Sequence, residues 1–221
     1  MARKQVLIGL ACLAAVAIAA AAYFIFGGRW KNESQTVERQ GVTITAYDRT
    51  LGAPEAPIVM LEYAAPSCPI CAGFDANAFP DIKRAYIDTG KVYYVFRVFP
   101  LGPADVAAEA MARCLPKDNY FSFIEILFRN QVTWDPEYNP PDVHGALVEM
   151  GRMVGMSPAR VDNCIADKAA VQKIVQIGED ATKKYQVNAT PTFVIDGKTH
   201  IGPFQDLKEF QTFIAATQTK K

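Results

Sequence analysis

Two cysteines separated by two residues, Cys68 and Cys71, are the side chains of this sequence best suited to chemistry. This spacing lets the two sulfurs close one small disulfide ring, and the thiolate is the form of cysteine that attacks disulfides. Pro69 favours a helix that starts directly after Cys68, because proline is tolerated in the first helical turn. The partial positive charge at a helix start lowers the pKa of a nearby thiol. We therefore expect a redox-active pair, in which Cys68 is the outer, attacking sulfur and Cys71 the buried, resolving one.

A single acid, Glu62, interrupts an apolar run at 58–64, six residues before Cys68. A continuous apolar run of this length predicts a strand that is buried on both faces. A carboxyl group on that strand, behind the cysteines, could exchange a proton with Cys71 as this thiol leaves or attacks. Glu62 is therefore a third catalytic candidate, and the alternative is a salt-bridged or partly solvated acid.

The same cysteine spacing also occurs in zinc sites and in structural disulfides. Zinc takes four ligands, but the sequence has no second pair at this spacing, and His144 and His200 lie far from the pair. A structural disulfide is disfavoured because so short a loop constrains the unfolded chain little. The prediction is therefore a site with no metal and no dissolved cofactor.

The apolar pattern around the pair is typical of an α/β domain that contains inserted helices. It predicts strands at 58–64, 91–99 and 193–195, and Asp196-Gly197 predicts a hairpin turn into a last strand. Helical spacing dominates about residues 103–166. Without that block, a parallel βαβ unit is followed by an antiparallel hairpin. Basic and acidic residues balance at 23 each, so the composition gives no indication of a nucleic-acid partner.

Two finer predictions concern the segments beside the central strand. Val42, Ile44 and Ala46 alternate with threonine and tyrosine neighbours, which predicts a half-buried edge strand, whereas residues 48–57 predict a loop. Pro80 interrupts the helix that follows the cysteines, so we expect a kink or a restart near Phe79.

The amino-terminal segment predicts export from the cytoplasm. Arg3 and Lys4 precede an uncharged run over residues 6–26, which would span about 31 Å as a helix, close to the thickness of a bilayer core. Basic residues remain on the cytoplasmic side, so the rest of the chain is expected outside. A cleaved signal peptide is the alternative, with cleavage before Tyr23. We favour the uncleaved anchor because residues 23–26 continue the apolar run.

Export also determines how the other cysteines are interpreted, because disulfides persist outside the cytoplasm. Cys12 lies inside the apolar run and is interpreted as a small apolar residue. Once the redox pair is set aside, Cys114 and Cys164 remain, and we expect them to form a structural disulfide. The alternative is two separate buried thiols.

Together these features resemble the thioredoxin superfamily and, within it, the DsbA-like thiol–disulfide oxidoreductases of the bacterial periplasm. The residues that carry the match lie at 62–63, 67–71, 99–102 and 190–193, and the helical block matches that family's inserted domain. The resemblance predicts a thioredoxin fold over 42–217, with a helical insertion at about 103–166. Before it, the apolar run predicts residues 1–27 as signal anchor or signal peptide, and the polar stretch that follows predicts a linker at 28–41.

The resemblance also implies roles for individual residues. Cys68 would be the nucleophile, and Pro191 would be cis and lie against the turn that carries the cysteines. Substrate would bind along Pro69, Ile70, Thr190 and Pro191, with the backbone of Thr190 pairing with a client strand. The clients would be exported proteins with free or mispaired cysteines, and a membrane quinone-linked partner would reoxidise the pair.

Two departures from the family pattern bear on the direction of electron flow. Ile70 stands where strong oxidants of this family have histidine, and Thr190 stands where many have valine. The prediction is an oxidase, and a reductase or isomerase is the alternative. The short segment 27–40 argues against an isomerase, which would need a dimerisation segment. A non-catalytic module that binds unfolded chains near Thr190 and Pro191 is a third hypothesis.

Overall fold

The computed structural model describes residues 36–218. The predicted anchor over residues 6–26 lies outside the described residues. Within 36–218, no helix has both the length and the apolar character that crossing a membrane requires. The chain divides into two units, and the larger one contains residues 38–42 and everything described from Asp48 onwards. The main sheet and both cysteines of the pair belong to this larger unit.

The main sheet has five strands in the order β3-β5-β4-β6-β7. In chain order the strands are β1 (Val37–Arg39), β2 (Val42–Ile44), β3 (Arg49–Leu51), β4 (Ile58–Ala64), β5 (Val92–Val98), β6 (Thr192–Ile195) and β7 (Lys198–Ile201). β4 and β5 are parallel, and β6 and β7 form an antiparallel hairpin, as the sequence predicted. Every residue of the central strand β4 is buried, which is why it contains almost only apolar side chains.

The edge of the sheet was predicted wrongly. β2 pairs with β1 in a separate two-stranded sheet, and the edge strand beside β5 is β3, inside the predicted loop 48–57. A strand of three residues is too short to show a periodic pattern. Gly52, directly after β3, indicates a turn and therefore favoured the prediction of a loop. Gly52 has φ +86°, and a Cβ there would lie 2.6 Å from the carbonyl oxygen of Val92. The chain therefore needs glycine where it turns away from β5.

Helices cover the sheet and form the insertion. They are α1 (Pro69–Ala76), α2 (Phe79–Ile82), α3 (Pro103–Cys114), α4 (Tyr120–Arg129), α5 (Gln131–Trp134), α6 (Val143–Met153), α7 (Pro158–Ile165), α8 (Lys168–Tyr185) and α9 (Leu207–Gln218). The restart expected near Phe79 is confirmed, because α1 ends at Ala76 and α2 begins at Phe79. A π-helical turn over Lys83–Ile87 continues α2 and was not predicted.

The helical insertion, α3 to α7, lies between β5 and α8 and shares a core with the sheet. Tyr94 and Phe96 of β5 contact Phe121 of α4, with ring centroids 6.1 Å apart in both pairs. A disulfide joins Cys114 at the end of α3 to Cys164 of α7. The insertion is therefore tied together covalently and packed against the strand next to β4.

Candidate active site

The turn between β4 and α1 places Cys68 at the N-cap of the helix. Its backbone is extended, with φ −73° and ψ 114°, and Pro69 follows in the first helical turn. The backbone N–H of Cys71 donates a hydrogen bond to Sγ of Cys68 at 3.1 Å. Sulfur therefore takes the place of the oxygen that a usual N-cap side chain supplies. Negative charge on this sulfur is stabilised by the unpaired amides of the helix start.

The two thiols of this pair have opposite acidities. The pKa of Cys68 is lowered to about 6, chiefly by a hydrogen bond with the Cys71 side chain and further by Thr190 and the amides of Cys71 and Ile70. Burial is the main cause that raises the pKa of Cys71, and the neighbouring sulfur of Cys68 adds to it. At neutral pH the reduced pair therefore carries one thiolate, on Cys68, and one protonated thiol, on Cys71.

Cys68 was expected to be the outer sulfur, and in this respect the prediction needs correction. Cys68 is 4% exposed and Cys71 is 1% exposed, so both are buried. The cause is the loop before β6, since the carbonyl oxygen of Thr190 lies 3.5 Å from Sγ of Cys68. The exposed residues of the turn are Pro69 and Ile70, and Ile70 is 55% exposed.

The Thr190–Pro191 segment reaches the cysteines because β6 pairs with β4. Tyr63 is opposite Thr192 in that antiparallel register, so the residues just before β6 lie beside the end of β4. The Thr190–Pro191 peptide bond is cis. The hydroxyl of Thr192 donates to the carbonyl oxygen of Ala189 at 2.7 Å and closes this loop. The structure thus brings together Cys68, Thr190 and Pro191 from distant parts of the sequence.

Glu62 lies on β4 beneath the turn and is 3% exposed. The hydroxyl of Tyr94 donates to its carboxyl group at 2.7 Å. Burial raises the pKa of Glu62 to about 8, and the Tyr94 hydrogen bond opposes part of that rise. Sequence analysis missed Tyr94. Only the β4–β5 register reveals it, because Glu62 is opposite Phe96 and Tyr94 lies two residues away on the same face.

A cavity of about 340 Å³ reaches Glu62. Its wall is mainly apolar, and the aromatic residues that line it are Phe74, Phe79, Tyr94, Phe96, Phe121 and Phe128. Asp75, Lys83 and Glu125 also line it. The cavity gives water a route to a carboxyl group that is otherwise enclosed by the sheet and α1.

The two histidines are placed away from this site. His144 pairs with Asp162 at 2.8 Å, and His200 stacks on Phe204 with ring centroids 4.2 Å apart. Over residues 36–218, no three His, Cys, Asp or Glu side chains come together in a way that could hold a metal ion.

Sequence analysis also missed two polar residues of the insertion that contact the turn. Asp105 of α3 accepts hydrogen bonds from Ser67, and Gln131 of α5 donates to the carbonyl oxygens of Pro66 and Cys68. Asp105 lies in a helix whose apolar stripe indicated packing alone, and Gln131 begins the four-residue helix α5, which is too short for a periodic pattern to predict.

The geometry agrees with the comparisons to known proteins. The family model described as thioredoxin matches residues 45–216. A Rickettsia bellii protein named as a protein-disulfide oxidoreductase is 31% identical over 151 residues, which is 68% of this chain and 57% of that protein. Disulfide bond formation protein D of Bacillus subtilis is 27% identical over 166 residues, covering 72% of this chain and 73% of its own length.

The chain spans little more than half the length of the Rickettsia relatives that it matches. Among solved structures, alpha-DsbA1 of Wolbachia pipientis is 34% identical and superposes with a TM-score of 0.71, over 80% of this chain and 94% of that one. Sequence, fold and the cysteine-bearing turn therefore lead to one assignment. This chain belongs to the thioredoxin family, among its DsbA-like thiol–disulfide oxidoreductases.

Proposed function

We propose that this protein oxidises cysteines of exported proteins in the periplasm by exchanging the Cys68–Cys71 disulfide with them. The observation that carries the proposal is the unequal pair. Cys68 accepts an amide hydrogen bond at the start of α1 and has a pKa of about 6, whereas burial keeps Cys71 protonated. A low pKa stabilises the reduced pair as the Cys68 thiolate, which makes the Cys68–Cys71 disulfide more oxidising, and it makes Cys68 a good leaving group when the mixed disulfide is resolved.

The exchange balances as two displacement steps. A client thiolate attacks Sγ of Cys68, the Cys68–Cys71 bond breaks, and its electron pair goes to Cys71, which takes up a proton. A second client thiolate then attacks the client sulfur of the mixed disulfide, and Cys68 leaves as the stabilised thiolate. The client loses two electrons and gains a disulfide, and the enzyme is left reduced.

Glu62 is proposed as the group that supplies the proton to Cys71. With a pKa of about 8 it is mostly protonated at pH 7, and the cavity that reaches it lets water replace the proton. Its charge also adds to the rise in the pKa of Cys71, which is caused first by burial.

Clients are proposed to bind as an extended segment beside the cis-proline loop. Thr190 places its carbonyl oxygen beside Cys68, and Pro69, Ile70 and Pro191 complete the surface around the sulfur. An extended segment that pairs with backbone groups is bound largely independently of its sequence. Such binding suits an enzyme whose clients share cysteines and little else.

The proposed location of the catalytic domain rests on the amino-terminal segment. The run over residues 6–26 behind Arg3 and Lys4 supports a domain held at the outer face of the inner membrane, or released there if the segment is cleaved. The proposed boundaries are 1–27, a linker at 28–41 that includes the short strand β1, and a catalytic domain at 42–217 with its insertion at about 103–166. A membrane quinone-linked partner would then return the reduced pair to the disulfide.

A reductase is the second candidate, and one observation favours it. Ile70 is exposed next to Cys68 and offers the thiolate neither charge nor a side-chain hydrogen bond. A weakly stabilised thiolate makes the disulfide less oxidising. The pKa of about 6 for Cys68 lies between the values of about 7 for thioredoxin and about 3.5 for the strong oxidant DsbA. The proposal therefore remains an oxidase of intermediate strength.

Two cysteine variants of the full chain test the assignment of roles. We expect Cys68→Ser to abolish oxidation of a reduced protein client, and Cys71→Ser to accumulate a mixed disulfide through Cys68 that is visible by non-reducing electrophoresis. Cys12→Ser is the control, because it removes a cysteine outside the site. Client oxidation by Cys68→Ser at the native rate would refute the proposal.

A further inference from the structure

We propose that Asp105 and Gln131, both supplied by the helical insertion, are positioning residues that hold the turn before Cys68 in its reactive geometry. This inference rests on the proposed role of Cys68 as the nucleophile. Neither residue bonds to a cysteine sulfur, so both would act through the backbone of residues 66–68. The insertion would thereby take part directly in the reactivity of the thioredoxin unit.

Asp105 binds the turn from one side. It is fully buried, and its Oδ1 accepts the backbone N–H of Ser67 at 2.8 Å. Its Oδ2 accepts the Ser67 hydroxyl at 3.0 Å and the backbone N–H of Leu101 at 2.8 Å. Burial raises the pKa of Asp105 and these donors oppose the rise. Because three donors converge on two oxygens, the ionised carboxylate satisfies all of them and forms charge-assisted bonds.

Gln131 binds the same turn through its carbonyl groups. Its buried side-chain nitrogen donates to the carbonyl oxygen of Pro66 at 2.8 Å and to that of Cys68 at 3.0 Å. The two amide hydrogens of glutamine can make both bonds at once. Side chains of the insertion therefore form hydrogen bonds with three consecutive residues of the turn, Pro66, Ser67 and Cys68.

The position of Cys68 relative to α1 depends on this turn. Within the turn, the N–H of Cys68 donates to the carbonyl oxygen of Ala65 at 3.0 Å. The hydrogen bond from the Cys71 amide to Sγ of Cys68, at 3.1 Å, requires the N-cap backbone to stay where it is. A looser turn would lengthen that bond, and the thiolate would lose part of its stabilisation.

Asp105→Asn separates a positioning role from a purely electrostatic one, because the two roles predict opposite shifts in the pKa of Cys68. Asparagine has the same shape, but its amide nitrogen must face either the Ser67 N–H or the Leu101 N–H, so one donor is left against another donor. Loss of geometry would raise the pKa of Cys68. Removal of a nearby negative charge alone would lower it, because a negative neighbour disfavours the thiolate.

The test is the pH dependence of Cys68 alkylation by iodoacetamide in the full, reduced chain. For Asp105→Asn we expect the apparent pKa to rise by about one unit, so that alkylation at pH 6 is roughly five-fold slower and at pH 9 nearly native. Gln131→Met, which keeps the length and removes both donors, should shift the profile in the same direction. A variant that merely loosened the fold would instead react faster at every pH.

Control variants remove the same chemical groups from exposed positions away from the turn. Asp162→Asn loses a carboxylate that pairs with His144, and Gln176→Met loses an amide that bonds to Asp180. Both should keep the native profile. If Asp105→Asn does not fold, Ser67→Ala takes its place, because it removes only the hydroxyl bond to Asp105 and should give a smaller upward shift.

An unchanged or lowered pKa in the Gln131→Met variant and in the Asp105→Asn or Ser67→Ala variant would overturn the inference. Failure of the proposed function would look different. In that case the native chain itself would show an unperturbed Cys68 pKa, near 8.5.

Discussion

The sulfurs of Cys68 and Cys71 differ in acidity although both are buried. Their exposed fractions, 4% and 1%, are too similar to explain opposite pKa shifts. The difference comes from hydrogen bonding, because Cys68 accepts bonds at the start of α1 and interacts with Thr190, whereas burial dominates at Cys71. The position of Cys68 at the helix N-cap therefore determines that Cys68 is released as a thiolate and that Cys71 needs a proton.

Ile70→His should make the pair more oxidising. Ile70 is exposed in the first turn of α1, so a histidine there can be protonated and can stabilise the Cys68 thiolate. We expect the pKa of Cys68 to fall by about one unit and the reduction potential to rise by about 30 mV. Ile70→Leu is the size-matched control. Equal alkylation profiles for the two variants would contradict this explanation of the Ile70 departure.

Glu62→Gln should stabilise the reduced protein, and the gain should depend on pH. Burial raises the pKa of Glu62 from 4.5 to about 8, so between these pH values the folded state binds more protons than the unfolded state. The unfolding free energy of the native chain therefore falls as the pH rises through that window. The glutamine of the variant does not titrate, so its unfolding free energy does not fall in this way. The stability advantage of Glu62→Gln over the native chain therefore grows from about pH 4.5 and levels off above about pH 8.

The size of this gain is on the order of 5 kcal/mol at most. Denaturant unfolding of the full chain in detergent at several pH values measures it. Glu149→Gln is the control, because it removes an exposed carboxylate that pairs with Arg152 on α6, and it should show little change. A constant difference between Glu62→Gln and the native chain across pH 5–8 would mean that Glu62 is not protonated when buried.

Among the helices and strands, those predicted correctly have either a long apolar pattern or clear turn residues. The buried strand β4, the helix after the cysteines and the terminal β6–β7 hairpin each follow from apolar periodicity or turn residues. β3 was not predicted because three residues are too few to show a periodic pattern of apolar side chains. Tyr94, Asp105 and Gln131 were missed because their contacts depend on strand register and on how the insertion packs, which a single sequence does not display.

The insertion is stabilised by a disulfide and by a buried ion pair on α3. The Cys114–Cys164 bond closes a loop of 50 residues. Glu109 and Arg113 pair inside the core, and the Tyr120 hydroxyl donates to the same carboxylate. A buried carboxylate that has two such partners is well compensated, and the Tyr120 bond also links α4 to α3 independently of the disulfide.

Removing this disulfide should therefore weaken the insertion without disabling the active pair. For Cys114→Ala/Cys164→Ala, chain entropy predicts a loss of about 4 kcal/mol in the free energy of unfolding. Denaturant unfolding checks the loss, and alkylation of Cys68 in the same variant should keep its native pH profile. A shifted profile would show that the bond also acts on the turn.

Over the larger unit, the thioredoxin strands and the insertion form one core, and the site lies where they meet. β4, α1 and the loop before β6 supply Glu62, the cysteines and the cis-proline segment, and the insertion supplies contacts to the turn. The fold class was predictable from the order of strands and helices. The direction of electron flow was not, because it depends on small differences in thiolate stability.

The reduction potential of the Cys68–Cys71 pair is the most direct test of an oxidase. It is measured by equilibrating the full chain with glutathione buffers and following the oxidation state of the peptide that carries both cysteines. We expect a value clearly above the roughly −270 mV of thioredoxin and below the roughly −120 mV of the strong oxidant DsbA, since Ile70 adds no charge. A value at or below about −270 mV would contradict the account and identify a reductase.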